Sequence, residues 1–177
     1  MRPVKSVSAL LVAAAAALAA LPASSQTSAL KGHDSNAPVD VAADRIEVQD
    51  RADRAIFSGN VVVRQAELTL TAARLTVAYS SGGGVELRRI DATGGVTVRS
   101  PSETARGNVG IYDLDRRIIT LIGDVSLVQR DAKVNGGRLT IDLDSGRAVM
   151  DGGGPPGTAS QGGRVTGTFT VPQKKGG

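Results

Sequence analysis

The chain has 177 residues, no cysteine and no tryptophan, and carries 21 Lys and Arg against 17 Asp and Glu. Without cysteine it can form neither a disulfide nor a thiolate metal site, so an exported form would depend on a β framework and an apolar interior. Basic and acidic residues are interleaved, as in Asp115-Arg116-Arg117, and there are two Phe and two Tyr. This pattern argues against nucleic acid as a partner, because its binding needs a clustered positive face and usually aromatic platforms.

The first 25 residues predict a signal peptide. Arg2 and Lys5 precede an apolar run of twelve residues from Leu10 to Leu21, and the small residues Ala23, Ser24 and Ser25 follow. Such a run is too short for a bilayer span, which takes about 20 residues. Residues 1–25 are therefore interpreted as a cleaved leader, and the protein is expected in the periplasm; an uncleaved membrane anchor is the alternative.

Residues 26–38 predict a flexible linker, because they are rich in Ser, Ala and Gly and lack apolar periodicity. From Val39 to about Asp151, apolar and polar residues alternate, as in Arg45-Ile46-Glu47-Val48. Alternation at period two gives each strand one apolar and one solvated face. Gly or Asp interrupts the pattern about every 8 to 12 residues, which is typical of all-β sandwiches, barrels and stacked layers.

An internal repeat runs through this β region. Gly59-Asn60-Val61-Val62-Val63 returns 64 residues later as Gly123-Asp124-Val125-Ser126-Leu127, and Gly94-Gly95-Val96-Thr97-Val98 lies between them. The motif predicts a β-turn that ends in Gly and then starts a half-buried strand. Units of this kind bury their apolar faces by stacking. A compact sandwich with an accidental repeat is the alternative.

The C-terminal residues 152–177 are interpreted as a tail, because residues 152–163 are rich in Gly and Pro. The main β domain is therefore expected to close near Asp151, giving a domain over residues 39–151. Within the tail, residues 164–171 could add one edge strand, and Lys174 to Gly177 are expected to be disordered.

No catalytic residue, metal site or cofactor is predicted, so a non-enzymatic protein is expected. His33 is the single histidine and forms neither a triad nor a metal site. Asp113-Leu114-Asp115 and Asp142-Leu143-Asp144 are better explained as turn caps than as a calcium loop, which would need a closing Glu. Gly82-Gly83-Gly84 lacks the Lys-Ser/Thr of a phosphate loop and precedes a predicted strand.

The apolar faces are aliphatic and almost free of aromatic residues, which predicts a smooth interior. Such a surface suits acyl chains, because each buried methylene contributes about 0.8 kcal/mol. An ordinary protein core explains the same residues equally well. Composition leaves both interpretations open.

Six segments in chain order carry a resemblance to a known family. They are Val41–Val48, Ala55–Gln65, Leu70–Val77, Ile90–Val98, Ala105–Tyr112 and Ile119–Leu127. Together they resemble the periplasmic lipopolysaccharide-transport protein A family (LptA, the OstA-like domain). The Phe57-Ser58-Gly59-Asn60-Val61 element is moderately specific, and its recurrence in order with the Ala72-Ala73-Arg74-Leu75 element raises that specificity considerably.

The resemblance implies a twisted, open β-jellyroll of two facing antiparallel sheets. It also implies binding of lipopolysaccharide through lipid A and its transport between the inner and outer membranes for outer-membrane assembly. The implied partners are an inner-membrane anchored LptC-like protein and an outer-membrane LptD-like protein, joined through strand edges, with head-to-tail homo-oligomers. A membrane-anchored LptC-like component of the same pathway and a β adaptor that binds no lipid are the alternatives.

The candidate lipid-binding residues are the apolar strand residues, although sequence parity does not separate a groove from a sealed core. They are Val61, Val63, Leu68, Leu70, Leu75, Val77, Val96, Val98, Ile119, Leu121, Val125, Leu127, Leu139 and Ile141.

Overall fold

The computed structural model describes residues 33–82, 84–130, 132–153 and 163–170, and the predicted leader lies outside them. These residues form ten strands in one antiparallel sheet, with a single 3-10 turn (Asp50–Ala52) among them. The strands are β1 (Asp40–Ala42), β2 (Arg45–Gln49), β3 (Arg54–Gln65), β4 (Leu68–Ser80), β5 (Glu86–Arg99), β6 (Glu103–Asp113), β7 (Ile118–Gln129), β8 (Ala132–Asp142), β9 (Arg147–Asp151) and β10 (Thr166–Phe169). The all-β prediction is confirmed.

Six long strands, β3 to β8, form the centre of the sheet as consecutive antiparallel neighbours. Each edge of the sheet consists of two short strands: β1 and β2 both pair with β3, and β9 and β10 both pair with β8. The central strands have 11 to 14 residues, which is longer than the spacing of the Gly and Asp interruptions in the sequence suggests. Several Gly-containing breaks therefore lie inside strands.

The repeated Gly motif bends the strands instead of starting them, so the prediction of a β-turn at this motif is wrong. Gly59-Asn60, Gly94-Gly95 and Gly123-Asp124 lie in the middle of β3, β5 and β7, and all six residues have positive φ. The five ladders between β3 and β8 shift register at these points, as bulges do. A bulge and a turn need the same left-handed backbone, so the motif alone does not distinguish them.

The bulges are aligned across the sheet in a line that we call the crease, which divides it into two half-sheets. Half-sheet A comprises β2, residues 54–58, 74–80, 86–93, 109–113, 118–122 and 138–142, and β9. Half-sheet B comprises β1, residues 61–65, 68–72, 96–99, 103–107, 125–129 and 132–136, and β10.

The two half-sheets face each other over one core. The Tyr112 hydroxyl in half-sheet A donates a hydrogen bond to Gln65 Oε1 in half-sheet B at 3.1 Å, although β6 and β3 are not neighbours. Val61 of half-sheet B and Leu75 of half-sheet A belong to the same buried cluster. The two facing antiparallel sheets implied by the family resemblance are thus the halves of one folded sheet.

The side-chain alternation changes phase where β4 passes the crease. Leu68, Leu70 and Ala72 are buried before it, Leu75 and Val77 after it, and two exposed residues separate the two sets. Both halves of the strand can therefore direct apolar side chains inward. Complete burial of a leucine such as Leu75 contributes roughly 1.5–3 kcal/mol.

Asp113 and Asp142 cap turns, as the sequence predicts. Asp113 Oδ1 accepts a hydrogen bond from the Arg116 N–H at 3.0 Å, and Asp142 Oδ1 accepts one from the Ser145 N–H at 2.9 Å. The Ser145 N–H also holds the pKa of Asp142 below its usual value.

Candidate functional site

The candidate lipid-binding residues share the inner face of the folded sheet. All except Leu127 are buried members of one cluster, and Leu127 packs against it half-buried. The cluster also contains Ile90, Ala92 and Ala105, which the candidate set omits. These residues alternate with polar ones in β5 and β6, so the sequence contained a sign that they face inward. Alanine adds little to an apolar pattern, which makes such positions hard to find from sequence.

A cavity of about 590 Å³ opens between the half-sheets at the β1–β2 end of the molecule. Val39 and Val41 line it from the side of half-sheet B, and Val48, Phe57 and Leu87 line it from half-sheet A. We call this cavity the apolar mouth.

The apolar mouth borders the core, because Val77 both lines the cavity and belongs to the buried cluster. Asp50, Asp53 and Tyr79 give the cavity a polar rim. Loss of hydration raises the pKa of the Tyr79 phenol, and the negative charges of Asp50 and Asp53 raise it further. Tyr79 therefore stays neutral and donates hydrogen bonds up to alkaline pH.

Inward-facing apolar side chains continue past the core to both edges of the sheet. On β2, Ile46 pairs with the core residue Phe57, yet Ile46 is 56% and its neighbour Val48 57% exposed. At the opposite edge, Phe169 of β10 is 56% exposed. No further strand pairs with β1 or β10 within the described residues. The apolar interior is therefore uncovered at each end of the strand order.

Buried polar groups lie at the end of half-sheet B that is farthest from the crease. Gln65 and Glu103 are the buried polar residues of the described part of the chain. Gln129, which corresponds to Gln65 in the repeat, donates a hydrogen bond to Glu103 Oε1. The sequence shows the equivalence of Gln65 and Gln129 but not that their side chains point inward.

Residues His33 to Ala37 lie against this polar end and form what we call the clasp. Gln65 Nε2 donates hydrogen bonds to the carbonyl oxygens of Ser35 and Ala37, both at 3.0 Å, while His33 Nε2 lies 3.1 Å from Gln65 Oε1. Arg117 Nη2 donates to Asn36 Oδ1 at 3.1 Å. This part of the predicted flexible linker is thus hydrogen-bonded to half-sheet B and to the turn between β6 and β7.

The clasp and the half-sheets together enclose Tyr112. Burial raises the pKa of the Tyr112 phenol above its usual value. The phenol therefore remains a hydrogen-bond donor to Gln65 throughout the neutral range. Two more findings concern the described residues: no group of His, Cys, Asp or Glu could hold a metal ion, and no helix is long and apolar enough to cross a membrane.

The comparison with known families concerns most of this sheet. Residues 40–147 match the family described as the LptA and LptD N-terminal domain, an LPS transport protein. The chain belongs to this family. Its first strand, β1, begins at the first matched residue, and the match ends at the start of β9.

Individual relatives agree with this assignment. The chain is 33% identical over 121 residues to an uncharacterized protein of Rhizobium meliloti, covering 64% of this chain and 65% of the relative. It is 26% identical to the lipopolysaccharide export system protein LptA of Haemophilus influenzae, over 75% of this chain and 80% of the relative. It is 35% identical over 49% of its length to the LPS-assembly protein LptD of Yersinia pestis, of which the match spans 11%.

A solved structure has the same fold. LptH of Pseudomonas aeruginosa, the LptA-homologous periplasmic component of a lipopolysaccharide transport device, superimposes with a TM-score of 0.67 at 19% identity. The match covers 78% of this chain and 99% of LptH. The family resemblance and the fold class expected from the sequence are confirmed.

Proposed function

We propose that this LptA-family protein binds lipopolysaccharide by the acyl chains of lipid A and carries it across the periplasm, without catalysis. The observation that carries the proposal is the apolar mouth, whose aliphatic lining continues into the core through Val77. Aliphatic contacts are non-directional, and each methylene taken from water contributes about 0.8 kcal/mol. Such a lining holds an acyl chain and still lets it slide.

An acyl chain would first meet Val39 and Phe57 in the mouth, and deeper passage requires the half-sheets to separate. Leu75 and Leu121 next to the crease are 0% exposed, so the interior is closed there in this structure. Lipid would then take the place of contacts between the half-sheets. The candidate residues at Val61, Val125 and Leu139 would line the widened interior.

The edges of the sheet support the bridging part of the proposal. Edge strands offer unpaired N–H and C=O groups to another chain. Joining the β1–β2 edge of one molecule to the β9–β10 edge of the next would extend both half-sheets and the apolar interior. This head-to-tail contact does not close, so it generates a filament. LptC-like and LptD-like partners would use the same edges.

Photo-crosslinking to lipopolysaccharide in cells tests the lipid-binding part. A photoreactive residue at Phe57 or Val77 is expected to form an adduct. The same residue at the neighbouring Ile56 or Thr76, on the outer face, is the matched control and should give none. Absence of adducts at both inner positions, with the protein folded and exported, would contradict the proposal.

A β adaptor that binds no lipid is the second candidate, and the fully closed core at Leu75 and Leu121 favours it. The two functions differ in what copurifies with the protein. Mass spectrometry of lipid extracted from the gently purified protein should detect lipopolysaccharide for a carrier. An adaptor would oligomerise with concentration but yield no lipid.

A further inference from the structure

The outer face of half-sheet B has an unusual distribution of charge. Strand pairing places two rows of side chains on this face between β3 and β8. One row is Arg64, Thr69, Arg99, Thr104, Val128 and Lys133, and the other is Val62, Thr71, Thr97, Arg106, Ser126 and Asn135. Four basic and five hydroxyl-bearing residues thus share this face with two valines and one asparagine, and neither row contains a carboxylate.

The four basic side chains of this face are exposed, and none takes part in an ion pair with another described residue. Carboxylates lie at its borders, among them the exposed Glu67 in the turn between β3 and β4. Asp40 on β1 is opposite Arg64, and Asp124 at the crease accepts a hydrogen bond from Asn108 at 3.3 Å. The outer face of half-sheet A differs, since Arg89 there pairs with Asp91 at 2.8 Å.

Arg99 and Arg106 form the centre of the face. Arg99 lies opposite Thr104 and Arg106 opposite Thr97, which makes the two arginines a diagonal cross-strand pair. Diagonal neighbours are about 7–8 Å apart, a distance at which two guanidinium groups can hold one anion between them. The two threonine hydroxyls complete a square of donors. A bound phosphate would also relieve the repulsion between the like charges.

We propose that this face docks on the phosphate layer of an anionic lipid bilayer. The basic residues extend over six strands, about 24 Å at normal strand spacing, and so form an extended array instead of a pocket for one small anion. A membrane surface offers phosphates in such an array and attracts nearby Lys and Arg. The face lies on the opposite side of the sheet from the apolar interior, so the inference is independent of the proposed lipid transport.

Vesicle co-sedimentation of the purified protein tests this inference. Vesicles of phosphatidylglycerol and phosphatidylcholine are compared with phosphatidylcholine alone, at low and at high salt. The protein is expected to bind the anionic vesicles at low salt, and R99Q/R106Q to bind about 25-fold more weakly, at roughly fivefold for each arginine. The matched control R54Q/R147Q removes the same charge from exposed positions of half-sheet A and should bind nearly as the unaltered protein does.

High salt should abolish the binding to vesicles, because the Debye length falls to about 3 Å at 1 M salt and the attraction between protein and phosphates is screened. Salt-resistant binding would point to uptake of lipid by the interior and overturn the inference. An equal loss of vesicle binding in R54Q/R147Q would show that the net charge of the protein, and not this face, causes the binding. That result would also overturn the inference. Absence of binding to the anionic vesicles would overturn the inference as well. This outcome includes the case in which the face binds an acidic protein instead of a membrane.

Discussion

Among the described residues, Gln65 connects three separate parts of the molecule: β3, the clasp and half-sheet A. Its buried amide contacts the clasp through Ser35, Ala37 and His33 and meets half-sheet A through the Tyr112 hydroxyl. A buried polar group without partners costs more than its hydrogen bonds contribute, so these contacts depend on one another. Gln65 therefore holds the C-terminal end of β3, in half-sheet B, over half-sheet A.

We predict that Gln65→Leu loosens the clasp and lowers the free energy of unfolding by about 1–3 kcal/mol, because the buried Tyr112 hydroxyl loses its acceptor. Hydrogen exchange of the amides in residues 34–37 should accelerate, and chemical denaturation should show the loss of stability. Tyr112→Phe is the control: it removes one hydroxyl but leaves the Gln65 bonds to the clasp. Unchanged exchange in Gln65→Leu would disprove the role of this side chain.

Among the elements, the crease decides the architecture. Without the bulges at Gly59, Gly94 and Gly123, the six long strands would not bend at the crease, and the two half-sheets would not face each other. Bulges increase bending and twist, and here they are aligned from strand to strand. The sheet can therefore fold over its own apolar side.

Two effects of a glycine can be separated at Gly94 and Gly95: its tolerance of positive φ and the space left by its missing side chain. Both have positive φ, but a Cβ on Gly94 would lie 2.6 Å from the Ala73 Cβ, whereas one on Gly95 would have no neighbour within 4 Å. We predict that Gly95→Ala costs about 1–2 kcal/mol from left-handed strain alone. Gly94→Ala should cost more, as measured by denaturant unfolding.

A double-mutant cycle checks the steric part of this prediction. Ala73→Gly removes the opposing methyl group, so it should restore part of the stability lost in Gly94→Ala but none of that lost in Gly95→Ala. Equal costs for the two single variants would show that the close approach at the crease does not contribute.

The whole molecule presents three different surfaces: an aliphatic interior that opens at the mouth, two uncovered strand edges, and outer faces with different charge distributions. Each surface is suited to a different kind of partner. The interior suits acyl chains, the edges suit other β strands, and the outer face of half-sheet B suits phosphates. The proposed lipid transport uses the first two surfaces, the interior for the acyl chains and the edges for the neighbouring molecule.

We predict that Ile46→Lys weakens head-to-tail association of the protein, because a charged residue on an edge strand opposes strand addition. Ile46 lies on β2 and is 56% exposed. Analytical ultracentrifugation over a range of concentrations should show a higher monomer fraction than for the unaltered protein. Thr93→Lys, at an exposed position on the central strand β5, is the charge-matched control. The same monomer fraction in both variants would exclude the β2 edge from the contact.

Much of the fold could be predicted from the sequence, because the signals are local. Period-two alternation identifies strands, and residues such as Leu75 and Val77 identify the inner face. The positive-φ requirement at Gly59 and Gly123 was also visible in the repeat. Val48 and Phe57 were missed as lining residues of the mouth, since their role depends on where the facing half-sheet ends.

The sequence by itself therefore determined that this is an all-β protein with an aliphatic interior and a family motif repeated along the chain. Tertiary structure decided that the repeated glycines fold a sheet, that Gln65 meets Tyr112, and that Arg99 and Arg106 share one outer face. The physical reason is the range of the interactions. Backbone preference and alternation act between near neighbours, whereas bulge alignment, the mouth and the basic face exist only once distant strands are paired in register.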